Sequence, residues 1–206
     1  MLKGLVLALL LFIAIYAMAF GAVMTLQPPL ALAIPAVMAI TATLALGAVL
    51  LLPDGGVVRL TVYGLRTPSA PWLAAGCLAG VIGGGAAAAM SLAFPSPSPI
   101  DLGALAPWMI FLFFCVLAPV QEELIFRGLL QSLLMRRAPV SGAGALFPVV
   151  AIATLFGLIH FDSGPATVAG AFGLGLIAGE LRRRSGSIVP GIVAHALFNA
   201  TSTLAN

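Results

Sequence analysis

The chain has 206 residues, of which 62% are hydrophobic and 7% charged, and its mean hydropathy is +1.19. That balance excludes a soluble domain, and apolar runs of about 20 residues suit membrane-crossing helices rather than barrel strands. The formal net charge is +3, but the basic residues stand in short clusters at the ends of apolar segments, as topology signals rather than a nucleic-acid surface.

The first apolar segment runs from Gly4 to Met24 behind Lys3. Its Ala17-Met18-Ala19 has the form of a signal-peptidase site, but the segment reads as a retained anchor. Gln27-Pro28-Pro29 makes a turn, Leu30 to Leu52 is the second segment with Pro35 near its start, and Pro53-Asp54-Gly55-Gly56 ends it. Val57 to Pro71, with Arg59 and Arg66, is the longest polar connection. The third segment, Trp72 to Phe94, carries Gly76, Gly80, Gly83, Gly84 and Gly85, a surface for close helix packing. Pro95-Ser96-Pro97-Ser98-Pro99 reads as an extended linker, because alternating prolines cannot continue a helix. Cys77 and Cys115 both lie in apolar segments, which predicts buried small hydrophobes and no disulfide framework.

Leu102 to Arg137 would span roughly 54 Å as one helix, against a hydrocarbon core of about 30 Å, so a break or steep tilt is expected, with Pro119 as the place for a kink. Phe147 to His160, Pro165 to Gly179 and Ile188 to Leu204 are the fifth to seventh segments. The expected fold is therefore all-α, a polytopic transmembrane helical bundle of about seven segments. Lys3, Arg59, Arg66, Arg136, Arg137 and Arg182 to Arg184 then fall on the cytoplasmic side and Asp101 and Asp162 on the other, which puts the N-terminus in and the C-terminus out. Residues 1–101 form N-terminal membrane helices and linkers, and 102–206 a helical core that bears the chemistry. The Ala, Gly and Leu content is compatible with a multi-pass protein of a bacterial inner membrane.

Pro119 to Gly128 read P-V-Q-E-E-L-I-F-R-G, placing two glutamates and an arginine in an apolar run. Each charge at a helix centre costs roughly 2.5 to 3.5 kcal/mol on insertion scales, so each needs a partner or a purpose. Glu123 and Arg127 are four apart and share a helical face, whereas Glu122 points about 100° away and is left over. Counting about 1.5 Å per residue from the basic ends, Glu122, His160 and His195 lie at depths of roughly 16 to 21 Å, with Asn199 one turn further, so they can meet in one cavity. His195 and Asn199 project from one face and can donate two hydrogen bonds to a developing oxyanion. His160 can orient a water or share a proton with Glu122, which serves as general base. Such a set is the minimum for peptide hydrolysis without a nucleophilic side chain, and Ser132, Ser141 and Ser163 have no comparable partners. The alternatives are a packing role for the histidines and asparagine, a purely structural Glu123–Arg127 pair, and Glu122 as part of an ion-coupled carrier.

Glu122-Glu123-x-x-x-Arg127, Phe156-x-x-x-His160 and His195-x-x-x-Asn199 resemble the three motifs of the CPBP family, the CAAX-protease and bacteriocin-processing intramembrane endopeptidases. Gly175-Leu-Ile-Ala-Gly179 followed by Arg184-Ser-Gly-Ser-Ile188 resembles that family's linker into its last motif. The resemblance covers Pro119 to Asn199. It implies a glutamic intramembrane endopeptidase with Glu122 and His160 activating water, His195 and Asn199 as oxyanion site, and Glu123, Arg127 and Phe156 in support. The implied partners are the lipid bilayer and a membrane-associated protein or peptide substrate. A non-catalytic membrane adaptor or immunity protein that keeps the fold is the alternative. One glutamate and two histidines also match a zinc ligand set, but there is no H-E-x-x-H, and spending Glu122 as a ligand would leave the base unassigned; no cofactor is expected.

Overall fold

The computed structural model describes residues 2–51, 57–95, 105–139 and 141–204. The Pro53-to-Gly56 break, most of the Ser/Pro linker, Asp101 and the start of the fourth segment lie outside the described residues, as does the side chain of Arg59. Every regular element described is helical: α1 (Leu2–Leu26), α2 (Leu30–Leu51), α3 (Val57–Val62), α4 (Ala70–Ala93), α5 (Pro107–Met135), α6 (Phe147–Leu158), α7 (Pro165–Ser185) and α8 (Val189–Leu204). Among the described residues four helices, α1, α2, α4 and α5, are long and apolar enough by themselves to cross a membrane, which accounts for four of the seven expected segments. The chain is a multi-pass membrane protein.

Two groups of helices face each other. α1 and α2 pack on one another and on α5, while α4 packs on α7 and α8 and α6 packs on α7. The closest seam is between α4 and α8, and small residues make it possible. A Cβ on Gly76 would stand 2.5 Å from the Pro190 carbonyl oxygen, and one on Gly84 2.5 Å from that of Phe198, with Gly80 meeting Ala194 in the same way. The helices touch backbone to backbone, the approach that small-xxx-small spacing permits in lipid. Gly85, on the same helix, faces open space. Cys77 also points away from the seam and is exposed, contrary to the expectation that both cysteines are buried; Cys115 is buried.

The connection after α2 is not simply polar. It folds into α3 and a strap beneath the α7–α8 turn, held by the buried Tyr63. Arg182 Nη2 donates to the Val62 carbonyl at 2.7 Å, the Ile188 N–H to the Gly64 carbonyl at 3.0 Å, and Ser187 Oγ to the Arg66 carbonyl at 2.6 Å. α7 runs six residues past the expected Gly179. Glu180 pairs with Arg183 and Arg184 on its last turns, and Gly186 ends it at φ 72°, a left-handed position that glycine adopts without a Cβ penalty.

α5 is continuously helical from Pro107 to Met135, and two π-helical stretches, Phe111–Leu117 and Leu124–Gln131, flank Pro119, so the regular α-helical register is interrupted on both sides of the proline.

Candidate active site

Glu122 and Glu123 stand in the α-helical stretch Ala118–Glu123, between the two wide-turned stretches of α5. The first of these has a local cause and a distant consequence. The Ala118 N–H bonds to the Phe113 carbonyl, five residues back. In that register the next donor, for Phe114, is the nitrogen of Pro119, which carries no hydrogen. The Asn199 amide supplies the missing donor: its Nδ2 lies 2.7 Å from the Phe114 carbonyl oxygen.

Glu123 and Arg127 are fully buried, with Arg127 Nη1 donating to Glu123 Oε1 at 3.0 Å. Arg127 Nη2 donates to the Gly175 carbonyl at 3.2 Å, and one turn on, Gln131 Nε2 donates to the Gly179 carbonyl at 2.9 Å. These two rungs tie α5 to α7. The Arg127 guanidinium also lies 4.7 Å from the Phe156 ring centroid, a cation–π contact in a dry setting.

Glu123 has a second partner that spacing did not reveal. His195 Nδ1 is 3.1 Å from the same Oε1. A carboxylate oxygen only accepts, so Nδ1 carries the proton and Nε2 is left for other work. Nε2 lies 3.7 Å from Glu122 Oε2, beyond a direct hydrogen bond but well within electrostatic reach. Room for Glu123 comes from Gly191, where a Cβ would stand 3.0 Å from Glu123 Oε2.

His160 lies just past α6, in the turn before Asp162, and not within the helix as the segment boundaries suggested. Its Nδ1 is 2.7 Å from the Phe156 carbonyl oxygen, which fixes the proton on Nδ1 and makes Nε2 the acceptor. The Phe156 ring meets His160 at 5.0 Å and His195 at 5.7 Å, both edge-on, and so spaces the two imidazoles.

Glu122, Phe156, His160, His195 and Asn199 line one cavity of about 660 Å³, whose other walls include Met38, Phe114 and Leu174. Glu122 keeps 18% of its side chain exposed, whereas Glu123 and Arg127 lie outside the lining, behind His195. The residues expected at matching depths on three separate segments thus share a wall. The spacing did not reveal the Asn199 tie to Phe114, the carbonyls of Gly175 and Gly179 as acceptors, or Tyr16 of α1, whose hydroxyl accepts from Gln121 Nε2 at 3.1 Å. Pro119 and the Gly175-to-Gly179 stretch were the available signals for the first two; Tyr16 had none.

Residues 104–201 match the family model described as type II CAAX prenyl endopeptidase Rce1-like. The matched stretch is similar to that family's domain. It runs from just before α5 to near the end of α8, holds all seven site residues named from the sequence, and leaves α1 to α4 outside the match. No curated protein and no solved structure matched the chain. At family level this similarity supports a membrane-embedded endopeptidase, a peptide hydrolase of the CAAX-protease type. Among the described residues no group of three or more His, Cys, Asp and Glu is placed to hold a metal ion.

Proposed function

We propose that the protein hydrolyses a peptide bond in a membrane-associated protein or peptide, using a water activated by Glu122 and His160. The observation that carries this reading is the convergence of Glu122, His160, His195 and Asn199 on one cavity from three separate stretches of chain.

Water held between Glu122 and His160 Nε2 attacks the scissile carbonyl carbon. The new C–O bond forms as Glu122 takes the water's proton, and the carbonyl oxygen becomes an oxyanion. Asn199 has a second amide hydrogen beyond the one given to Phe114, and it donates to that oxyanion. His195 does so from Nε2, which requires the imidazolium form, because Nδ1–H is already committed to Glu123. Collapse of the tetrahedral intermediate breaks the C–N bond, and Glu122 returns the proton to the leaving amine. No covalent enzyme intermediate is needed.

The test compares the terminal peptides of membranes from cells expressing wild type or Glu122→Gln at matched levels. Termini found only with the wild type establish proteolysis and identify the substrate. Loss of the base is expected to lower the rate by about 10² to 10⁴. Identical termini, in cells where deletion has a phenotype, would sink the hydrolytic reading and leave the adaptor as the better account.

A further inference from the structure

The cavity has a floor and a mouth, and the floor faces the basic end of the bundle. The Arg137 side chain lies against Gly4 at the start of α1, Arg136 Nη1 donates to the Tyr63 hydroxyl at 3.3 Å, and Arg66 Nη2 donates to the Ser185 carbonyl at 3.1 Å. Arg182, on the same turns of α7 as Arg183 and Arg184, donates to Val62. Arg66, Arg136, Arg137 and Arg182 to Arg184 therefore stand together at one end of the bundle. An excess of Lys and Arg marks the cytoplasmic end of a membrane bundle.

Between Glu122 and that end the bundle is solid. Ile125, Phe126, Leu129, Leu130, Leu133 and Leu134 follow on α5, and each is at most 2% exposed. In the opposite direction the lining continues. It steps from Glu122 along α5 to Ala118, Phe114 and Ile110, a rise of roughly 18 Å over twelve residues. It also reaches Ser202 and Thr203 at the far end of α8, Ala166 and Thr167 at the start of α7, and Ser91 near the end of α4. All of these ends lie away from the arginines, and Thr203 is exposed. Among the described residues of the lining, Glu122 is the one acidic or basic residue apart from the two histidines, and hydroxyls ring its outer part.

We infer that the cavity opens on the non-cytoplasmic side of the membrane and receives an uncharged, extended stretch of an exported or membrane-anchored protein from that side. The substrate half of this inference rests on the hydrolytic reading; the direction of the mouth does not. A charged segment would lose its hydration in the apolar neck without gaining a partner, whereas a peptide backbone can bond with the hydroxyl rim.

The experiment is cysteine accessibility in the full-length protein. In a Cys77→Ala/Cys115→Ala background, Thr203→Cys marks the mouth and Arg184→Cys the basic end, with Thr167→Cys as a second mouth position in case the first disturbs α8. A membrane-impermeant maleimide is applied to right-side-out membrane vesicles before and after permeabilisation. The expected result is that a mouth cysteine reacts in sealed vesicles and Arg184→Cys reacts only once they are opened. A mouth cysteine protected until permeabilisation, labelling of both ends in sealed vesicles, or a mouth unreactive in either state overturns the inference. Repeating the labelling with Glu122→Gln separates the two ideas: the sidedness should be unchanged, so a failure of proteolysis and a failure of sidedness are read independently.

Discussion

Asn199 donates to the carbonyl oxygen of Phe114, 85 residues away in sequence, at the position where Pro119 has no hydrogen to offer. The asparagine therefore has two jobs, satisfying a backbone carbonyl with one amide hydrogen and facing the cavity with the other. They can be separated. Asn199→Ala should lose about 1 to 3 kcal/mol by stranding the Phe114 carbonyl, and lower the cleavage rate by about 10² to 10³. Pro119→Ala restores an N–H at position 119, so in that background Asn199→Ala should cost little stability yet still lose rate. Thermal unfolding in nanodiscs and cleavage rates measure the two effects. An equal stability cost in both backgrounds would show that the proline does not create the vacancy.

Glu123 holds both Arg127 and His195 with a single oxygen. Removing one partner of a fully buried ion pair leaves an uncompensated charge, and Glu123→Ala should destabilise by about 3 to 5 kcal/mol. Glu123→Ala combined with Arg127→Met should recover part of that loss, because no stranded guanidinium remains. The rate should stay low in the double variant, since His195 is still without its Nδ1 acceptor. A double variant as unstable as the sum of its parts would argue against the pair.

The α4–α8 seam makes a steric prediction. Gly80→Ala or Gly84→Ala puts a Cβ into the backbone of α8, and overpacking of this kind typically costs about 1 to 3 kcal/mol. Because that helix carries His195 and Asn199, cleavage should fall with stability. Gly85→Ala meets nothing within 4 Å and should change stability by less than about 0.5 kcal/mol. Unfolding midpoints for the three variants decide the matter.

At the basic end, the hydrogen bond from Arg183, aided by Arg184, holds the Glu180 carboxyl at about 2, well below its ordinary 4.5. A carboxyl depressed in the folded state contributes stability that is present above the unfolded value and lost as pH falls through the folded one. Glu180→Gln should therefore be less stable than wild type above about pH 4.5, with the gap closing towards about pH 2. The effect will be modest, because the pair is partly exposed and screened. Parallel melting curves across that range test the sign.

The helical segments were legible because long apolar runs admit few other structures, and the site residues were legible because charge in such runs is rare. Glu122, His160 and His195 stood out for that reason. What stayed hidden depends on contacts between distant stretches. Nothing in Val57 to Pro71 announces that its carbonyls receive Arg182 and Ile188, and nothing in the spacing of Glu123 and His195, 72 residues apart, says that they bond. Cys77 shows the complementary limit. Composition says that a residue is in the membrane, but on a helix with low amphipathicity it does not say whether protein or lipid covers it.

The repeat of bare backbone at Gly76, Gly80 and Gly84 also works as a set of detents. A slip of α8 by one or two residues would drive a carbonyl into a ridge. The next position that restores the fit lies four residues along, roughly 6 Å, and would carry His195 past both glutamates. α8 therefore has one seat in which its histidine meets its carboxylates, with no graded series of near-misses around it: the site is either assembled or wholly out of register.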